Sequence, residues 1–600
     1  MSETLYFTGL FRYELSGDFS GWQVGFIRNE PENGLEIAKW TFHAKTPSAY
    51  PKLAIAFSMP LRDVQLKWEA PGILSESHHL TPFWFHGNRC RTNLGCGIPM
   101  ACYLNQAGTN RLCVALSDAL HDSNLTSGAY ETGCLGVKYD LFNGTETPQT
   151  EFSFSLRVDC RERFYAESLC DVSRWYEEFY PPCSVPEAGY LPYYSTWYQF
   201  QRDVSQQKLE REIPAIKAAG FTGMILDAGW QCERTNGGGS DLTSCGYGDW
   251  NAFPGKFPDM SGFSKKLHAA NLKFLLWIGT PFVSHCSLAY SRLRTKSLRE
   301  CDPLVIDPRY RDARDFLVSK LRELLIQWNL DGFKLDFVDH FFCVDNDPAA
   351  KTNYEGCDFH NIPEAVNALF SELHDTLKKE NPNILIEFRQ CYNGPAMRQY
   401  ANLFRASDCP FDLIQNRVRT IDLRLLSGSS AVHSDMAIWA KTETPEAAAL
   451  QILNVLFSTP QISVSPTDMP ENQRRMLDFW LGFCADHKET LQLSELHPES
   501  PDQSYPIVSA ESAREKITAV YSSNRLVSGF PSGKLWMIVN ATHTPELALA
   551  LPCGEYSMET LDVFGSSCGK SKLIGGTQKI AVPCSGFAVI AQRTSKCCKK

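Results

Sequence analysis

The run Asp312-Ala-Arg-Asp-Phe-Leu-Val-Ser-Lys-Leu-Arg-Glu-Leu-Leu-Ile-Gln-Trp328, followed after a short turn by Gly332-Phe-Lys-Leu-Asp-Phe337, decides how this chain folds. In the first part apolar residues recur at three- and four-residue spacing, the period of an amphipathic helix; the second is a short apolar run of the length of a buried strand. The unit repeats. Strands are read at Leu191–Trp197, Gly223–Asp227, Lys273–Trp277, Gly332–Phe337, Asn383–Phe388, Leu403–Ala406, Ala431–Ser434 and Ile462–Val464, with helical patterns such as Gln207–Ala219 between them. Eight such units have the rhythm of a closed (β/α)8 TIM barrel; an open doubly wound sheet is similar locally, and the repeat count favours the barrel.

On either side the period changes to two. Leu35-Glu-Ile-Ala-Lys-Trp, Lys52-Leu-Ala-Ile-Ala-Phe and Phe152-Ser-Phe-Ser-Leu alternate as half-buried strands do, and prolines at Tyr180-Pro-Pro-Cys-Ser-Val-Pro mark a boundary. Alternation returns in Ile517-Thr-Ala-Val-Tyr, Leu535-Trp-Met-Ile-Val, Leu547-Ala-Leu-Ala-Leu and Phe587-Ala-Val-Ile-Ala. The expected organisation is multidomain: an N-terminal antiparallel β-sandwich (1–185), a catalytic barrel (186–492) and a small C-terminal β-sandwich domain (493–600).

Composition agrees with a large folded protein. The 600 residues exceed what one core organises, and 43% hydrophobic with 21% charged residues is ordinary for globular chains. A net charge of -10 argues against a nucleic-acid partner, and 12% aromatics suit a cleft that stacks sugar faces, although core packing uses them too. The start, MSETLYFTGLFRYELSG, carries no export signal pattern, and no stretch reads as a membrane span. The 22 Cys contain no C-x-x-C and read as small core residues of a reducing compartment, so a cytoplasmic location is expected. The basic tail Lys596-Cys-Cys-Lys-Lys reads as a frayed terminus.

Barrel chemistry sits at the C-terminal ends of strands. Those ends carry Asp227 with Trp230, then Trp277, Lys334 and Asp336, Glu387 and Arg389, Arg405 and Asp408, and His433 with Asp435. Side chains alternate along a strand, so Lys334 and Asp336 project to the same side of the mouth. The plain reading is an ion pair; the functional one is a carboxylate kept ionised by a neighbouring ammonium and available as a nucleophile. Asp408 follows two strands later. Two carboxylates converging across a cleft are what glycoside hydrolysis needs: about 5–5.5 Å between them retains configuration, about 6.5–9.5 Å inverts it.

These segments resemble glycoside hydrolase family 36, the microbial α-galactosidases. The similarity runs through Tyr194-Ser-Thr-Trp-Tyr, Leu226-Asp-Ala-Gly-Trp, Leu276-Trp-Ile, Lys334-Leu-Asp-Phe, Arg405-Ala-Ser-Asp and the flanking β-domains. The resemblance implies a retaining exo-α-glycosidase acting on terminal α-galactosyl residues, with Asp336 as nucleophile and Asp408 as general acid/base. It places Asp227, Trp277 and Lys334 on the terminal sugar, and Gly248-Asp-Trp250 with Lys256-Phe-Pro in an aromatic loop near the same subsite. Trp230, Arg389, Arg405 and His433 complete the expected substrate-binding set. Two departures concern the sugar. Ala228 stands where the family commonly has a second aspartate, and Arg389, in Glu387-Phe-Arg-Gln-Cys-Tyr-Asn-Gly-Pro, puts a cation near the 2-substituent. An α-N-acetylgalactosaminidase is therefore the nearest alternative.

Other classes remain. A non-catalytic carbohydrate-binding protein would favour neutral hydrogen-bonders over buried charge, and a transglycosylase would share the covalent intermediate. Gly565-Ser-Ser-Cys-Gly-Lys-Ser has the wrong spacing and setting for a phosphate loop, and Gly237-Gly-Gly lacks the context of a dinucleotide fingerprint. His433 and Asp435 have no second histidine close by, so neither metal nor cofactor is expected. The expected partner is an oligosaccharide or glycoconjugate substrate, and analogy with large barrel enzymes suggests a homo-oligomer.

Overall fold

The computed structural model describes residues 2–7, 10–69, 80–84, 89–233, 246–344 and 346–593; Gly237-Gly-Gly and the Lys596-Cys-Cys-Lys-Lys tail lie outside them. Eight parallel strands form the centre: β1 (Tyr193–Ser195), β2 (Gly223–Leu226), β3 (Lys273–Gly279), β4 (Gly332–Asp336), β5 (Leu385–Arg389), β6 (Leu403–Arg405), β7 (Ala431–His433) and β8 (Gln461–Ile462). They pair in the order β7-β6-β5-β4-β3-β2-β1-β8. Between β7 and β8 the ring is completed by isolated bridges, His433 with Thr459 and Ala437 with Ile462. The barrel is therefore closed, as the repeat count implied.

Helices sheathe the barrel because their sequences carry one apolar stripe. Arg311–Trp328 buries Ala313, Leu317, Leu321, Leu324, Leu325 and Trp328, a three- and four-residue spacing, and ends on Asn329 in the left-handed conformation. Gln206–Ala218 opens on Ser205, whose side chain accepts from the Lys208 N–H, and Ile362–Glu380 opens on Asn361 in the same way.

The N-terminal strands form two six-stranded antiparallel sheets around a separate core that contains Tyr13, Trp40, Phe42, Phe57 and Phe154. Helix Tyr165–Glu177 joins this sandwich to the barrel and buries Leu169, Val172, Trp175 and Tyr176 in the barrel's own core.

The C-terminal strands are linked by hydrogen bonds into one eight-stranded mixed sheet. Along Leu535–Asn540 the period of two divides the strand between two cores. Trp536 and Ile538 enter a small local core, whereas Met537 and Val539 enter the core shared with the barrel. The barrel side meets this shared face through Phe479, Trp480 and Phe483 against Phe587. Among the described residues no helix is long and apolar enough to cross a membrane.

Candidate active site

The strands that close the barrel also build its mouth. Tyr193, Ile225, Leu275, Leu385, Leu403 and Ala431 pack together as an apolar ring inside the lumen. Two residues further along the same strands, on the same inward side, stand Trp277, Glu387, Arg405 and His433, and β4 adds Lys334 and then Asp336. The change from hydrocarbon to charge takes place within one pleat repeat.

Each charge in this upper ring has a partner. Lys334 Nζ donates to Asp227 Oδ2 at 2.5 Å, and Asp227 Oδ1 accepts the N–H of Ala228 at 2.8 Å. Asp336 Oδ1 accepts from Arg389 Nε at 2.5 Å and the Phe337 N–H at 2.8 Å, while the Tyr392 hydroxyl, which donates to the Leu335 carbonyl at 2.9 Å, lies 3.4 Å away; among the described residues Oδ2 accepts only the Trp277 indole N–H, at 3.0 Å. Phe337 adopts a φ of 63°, a left-handed turn just after Asp336. Burial works to raise the Asp336 pKa, but Arg389 and then Lys334 outweigh it and hold the carboxyl well below the usual range. The direct partner of Asp336 is thus Arg389, while Lys334, which its spacing set beside Asp336, pairs with Asp227. The Arg389 guanidinium lies over Phe337 and Tyr392, 5.4 and 5.9 Å from their ring centres, directed at this carboxylate.

Arg405 organises the opposite side. It is buried, donates from Nη2 to Asp408 Oδ1 at 2.8 Å and from Nη1 to Asp435 Oδ1, and its Nε lies 3.8 Å from Glu387 Oε1. Asp435 is fully buried and also accepts the Tyr198 hydroxyl and the Cys409 N–H, each at 2.7 Å. Burial raises its carboxyl above the usual range, with Arg405 opposing and Asp408 adding to the shift. The Asp408 side chain is 56% exposed. Desolvation by its surroundings works to raise it, but Arg405 and Arg389 overcome this and keep its carboxyl below the ordinary value.

Asp227, Trp277, Lys334, Asp336, Arg405 and Asp408 all border one cavity of about 530 Å³. Ala228, Tyr247 and Phe337 share its wall, and Trp197, Tyr198, Pro410, Phe411 and Ile438 widen it toward an apolar rim. Four sequence candidates do not line this cavity: Arg389, expected near the sugar's 2-substituent, is engaged by Asp336, and the other three lie behind the surface. Trp230 and Trp250 are fully buried 6.2 Å apart; Trp230 donates its indole N–H to the Trp277 carbonyl, and Trp250 packs on Tyr247 and Trp277. His433 has no exposed surface and is locked between the Gly189 carbonyl, Gln461 and Glu387 at 2.8–3.1 Å. These residues position the wall instead of presenting it. Among the described residues no group of three or more His, Cys, Asp or Glu is arranged to hold a metal ion.

Sequence reading overlooked Trp197, Tyr198, Tyr247 and Phe411. The first two follow β1 directly, so the strand-end rule that found Asp227 would have found them. Phe411 stands three residues after Asp408, in a left-handed conformation (φ 63°) that exposes its ring.

Residues 192–494, spanning every barrel strand, match the Melibiase family model. A stretch of 175 residues is 27% identical to the myogenesis-regulating glycosidase of Mus musculus, covering 26% of this chain and 23% of that protein. A stretch of 194 residues is 26% identical to α-galactosidase 1 of Pediococcus pentosaceus, covering 31% of this chain and 25% of that protein. The chain thus matches only about a quarter of the length of these curated relatives. In three dimensions it is similar to the α-galactosidase of Lactobacillus brevis, with a TM-score of 0.66 at 14% identity over 99% of this chain and 85% of that one. It is also similar to a GH36 α-galactosidase of Geobacillus stearothermophilus solved with stachyose, with a TM-score of 0.64 at 13% identity over 98% and 86% of the two chains. The family match covers the whole barrel that carries the paired carboxylates, and the chain belongs to the Melibiase family of α-galactosidase-type glycoside hydrolases.

Proposed function

We propose that this protein is a retaining exo-α-galactosidase that removes terminal α-galactosyl residues from oligosaccharides or glycoconjugates by double displacement. The observation that carries the reading is the pair Asp336 and Asp408 on one cavity, in contrasting environments. Asp336 is buried, clamped and held ionised, as a nucleophile must be. Asp336 Oδ1 is held by the Arg389 and Phe337 donors, which leaves Oδ2, facing the Trp277 indole, to attack the anomeric carbon. Asp408 stands at the mouth, where the leaving oxygen would emerge, and serves as proton donor and then as base for water. A bound sugar would cover its exposed carboxyl and raise its pKa toward that of a useful acid.

The lumen supports an exo mode. The apolar ring below the upper charges closes the cavity at its floor, so a sugar chain enters by one end and stops. Asp227 and Lys334 supply hydrogen bonds to its outer hydroxyls, and Trp277 supplies an apolar face. The stachyose held by the Geobacillus relative has the class of substrate this arrangement suits. The test is nitrophenol release from aryl α-galactoside, α-N-acetylgalactosaminide, α-glucoside and β-galactoside, with Asp336→Asn as control. Cleavage of the α-galactoside that vanishes in the variant is expected; silence across the panel would overturn the reading.

A further inference from the structure

Two thiols outside the cavity sit at the joint between sandwich and barrel. Cys96 lies in the turn that follows strand Arg89–Thr92, closed by Asn93 N–H to Cys96 O at 2.9 Å and Cys96 N–H to Asn93 O at 3.1 Å. Cys391 comes two residues after Arg389, in the loop leaving β5. The two backbones touch: the Gly97 N–H donates to the Cys391 carbonyl at 3.1 Å, and a Cβ on Gly394 would stand 2.9 Å from the Gly97 carbonyl oxygen. Cys391 Sγ donates to Asp339 Oδ2 at 3.6 Å, and the Cys391 thiol lies close enough to Cys96 to act on its pKa. Both cysteines border a second cavity, of about 240 Å³, with Asn93, Asp339 and Phe342. Both are free, Cys391 nearly buried and Cys96 partly exposed.

We propose that Cys96 and Cys391 are an oxidation site for a hydroperoxide, and that their closure into a disulfide strains the loop carrying Arg389 and slows the glycosidase site. The last step rests on the function proposed above. The neighbouring Cys391 thiol lowers the Cys96 pKa against the cost of its burial and so favours the thiolate there. That thiolate attacks the peroxide oxygen, the O–O bond breaks, and water or an alcohol leaves, giving a sulfenic acid at Cys96. Cys391 sulfur then attacks the Cys96 sulfur, and the hydroxyl departs as water with the Cys391 proton. Two thiols are oxidised by two electrons and one peroxide is reduced. A covalent sulfur–sulfur bond is shorter than the thiol contact it replaces, so closure draws the segment 390–394 toward the sandwich. Arg389, whose Nε holds Asp336 Oδ1, is the first residue of β5 to feel that pull.

The test treats the full-length, fully reduced protein with hydrogen peroxide, maps peptides after blocking free thiols, and follows aryl α-galactoside turnover alongside. A Cys96–Cys391 cross-linked peptide is expected, removed by dithiothreitol, with kcat reduced on the order of ten-fold or more and recovered on reduction. Cys96→Ser is expected to turn over like the reduced wild type and to keep its activity in peroxide, and Cys391→Ser checks the pair from the other side. Cys96 remaining alkylatable while other thiols oxidise would overturn the proposal, as would a cross-link that leaves kcat unchanged. The peptide map needs no turnover: a reduced protein inactive on every glycoside defeats the function above, and the map alone then judges the thiol pair.

Discussion

The lower and upper rings of the barrel lumen are made by the same strands, two residues apart. The lower ring of Tyr193, Ile225, Leu275, Leu385, Leu403 and Ala431 is hydrocarbon apart from the Tyr193 hydroxyl, and it packs. The upper ring of Asp227, Lys334, Asp336, Glu387 and Arg405 is nearly all charge and comparably buried. Burying isolated charges is costly, and here the cost is met pairwise: Lys334 on Asp227, Arg389 on Asp336, and Arg405 shared among Asp408, Asp435 and Glu387. One ring holds the barrel shut, and the other holds reactive groups in fixed protonation states. If that division is right, substitutions in the two rings will separate stability from turnover.

The largest effect is expected at Asp336. Asp336→Asn keeps the shape and removes the charge, so turnover should fall by roughly 10⁴-fold or more, with the fold intact by circular dichroism; a modest loss would show that another group attacks. Asp408→Asn should lower kcat by about 10²–10⁴-fold on substrates with poor leaving groups and much less on activated aryl glycosides, a contrast read by comparing the two substrate types. In the lower ring Leu403→Ala should do the reverse. It should cost about 2–5 kcal/mol of stability in denaturant unfolding while kcat of the folded fraction stays near wild type.

A smaller effect sharpens the comparison by way of a buried carboxyl outside both rings. Asp422 joins the three parts of the molecule: it accepts the Tyr505 hydroxyl, which in turn accepts the Trp68 indole N–H at 2.9 Å. Unlike the upper-ring acids it has no cation beside it among the described residues, and burial pushes its pKa up to about 7 against the Tyr505 and Trp68 hydrogen bonds. The folded state therefore keeps this proton at pH values where the unfolded chain, near the ordinary value of 3.8, has lost it. Its contribution to stability is full below about pH 4 and is lost as pH rises toward 7, at up to about 1.4 kcal/mol per pH unit within that window. Asp422→Asn should flatten that slope in pH-dependent melting; an unchanged slope would mean the carboxyl titrates normally.

Much of this was legible in the residues. The eight strands announced themselves because parallel barrel strands are buried on both faces and read as unbroken apolar runs, and Asp227, Trp277, Lys334, Asp336, Arg405 and Asp408 were found by looking just past each run. What escaped was pairing. Lys334 and Asp336 share a side of β4, yet the register of neighbouring strands gives Lys334 to Asp227 and Arg389 to Asp336, and spacing along one chain carries no record of that. Trp230 and Trp250 carried a correct signal of proximity but the wrong depth, because an indole behind a wall and one on it look alike in sequence. The C-terminal alternation was real, and it divides the strand residues between a local core and the core shared with the barrel.

The most direct test of the division between rings is to trap the intermediate with a fluorinated α-galactosyl fluoride that loads the enzyme faster than water releases it, and to locate the label by peptide mass mapping. A single sugar adduct on the peptide containing Asp336, absent from Asp336→Asn and released on addition of an acceptor sugar, is the expected result. An adduct on a different carboxylate, or turnover of the fluoride with no adduct and an inverted product, would contradict the assignment of Asp336 as nucleophile.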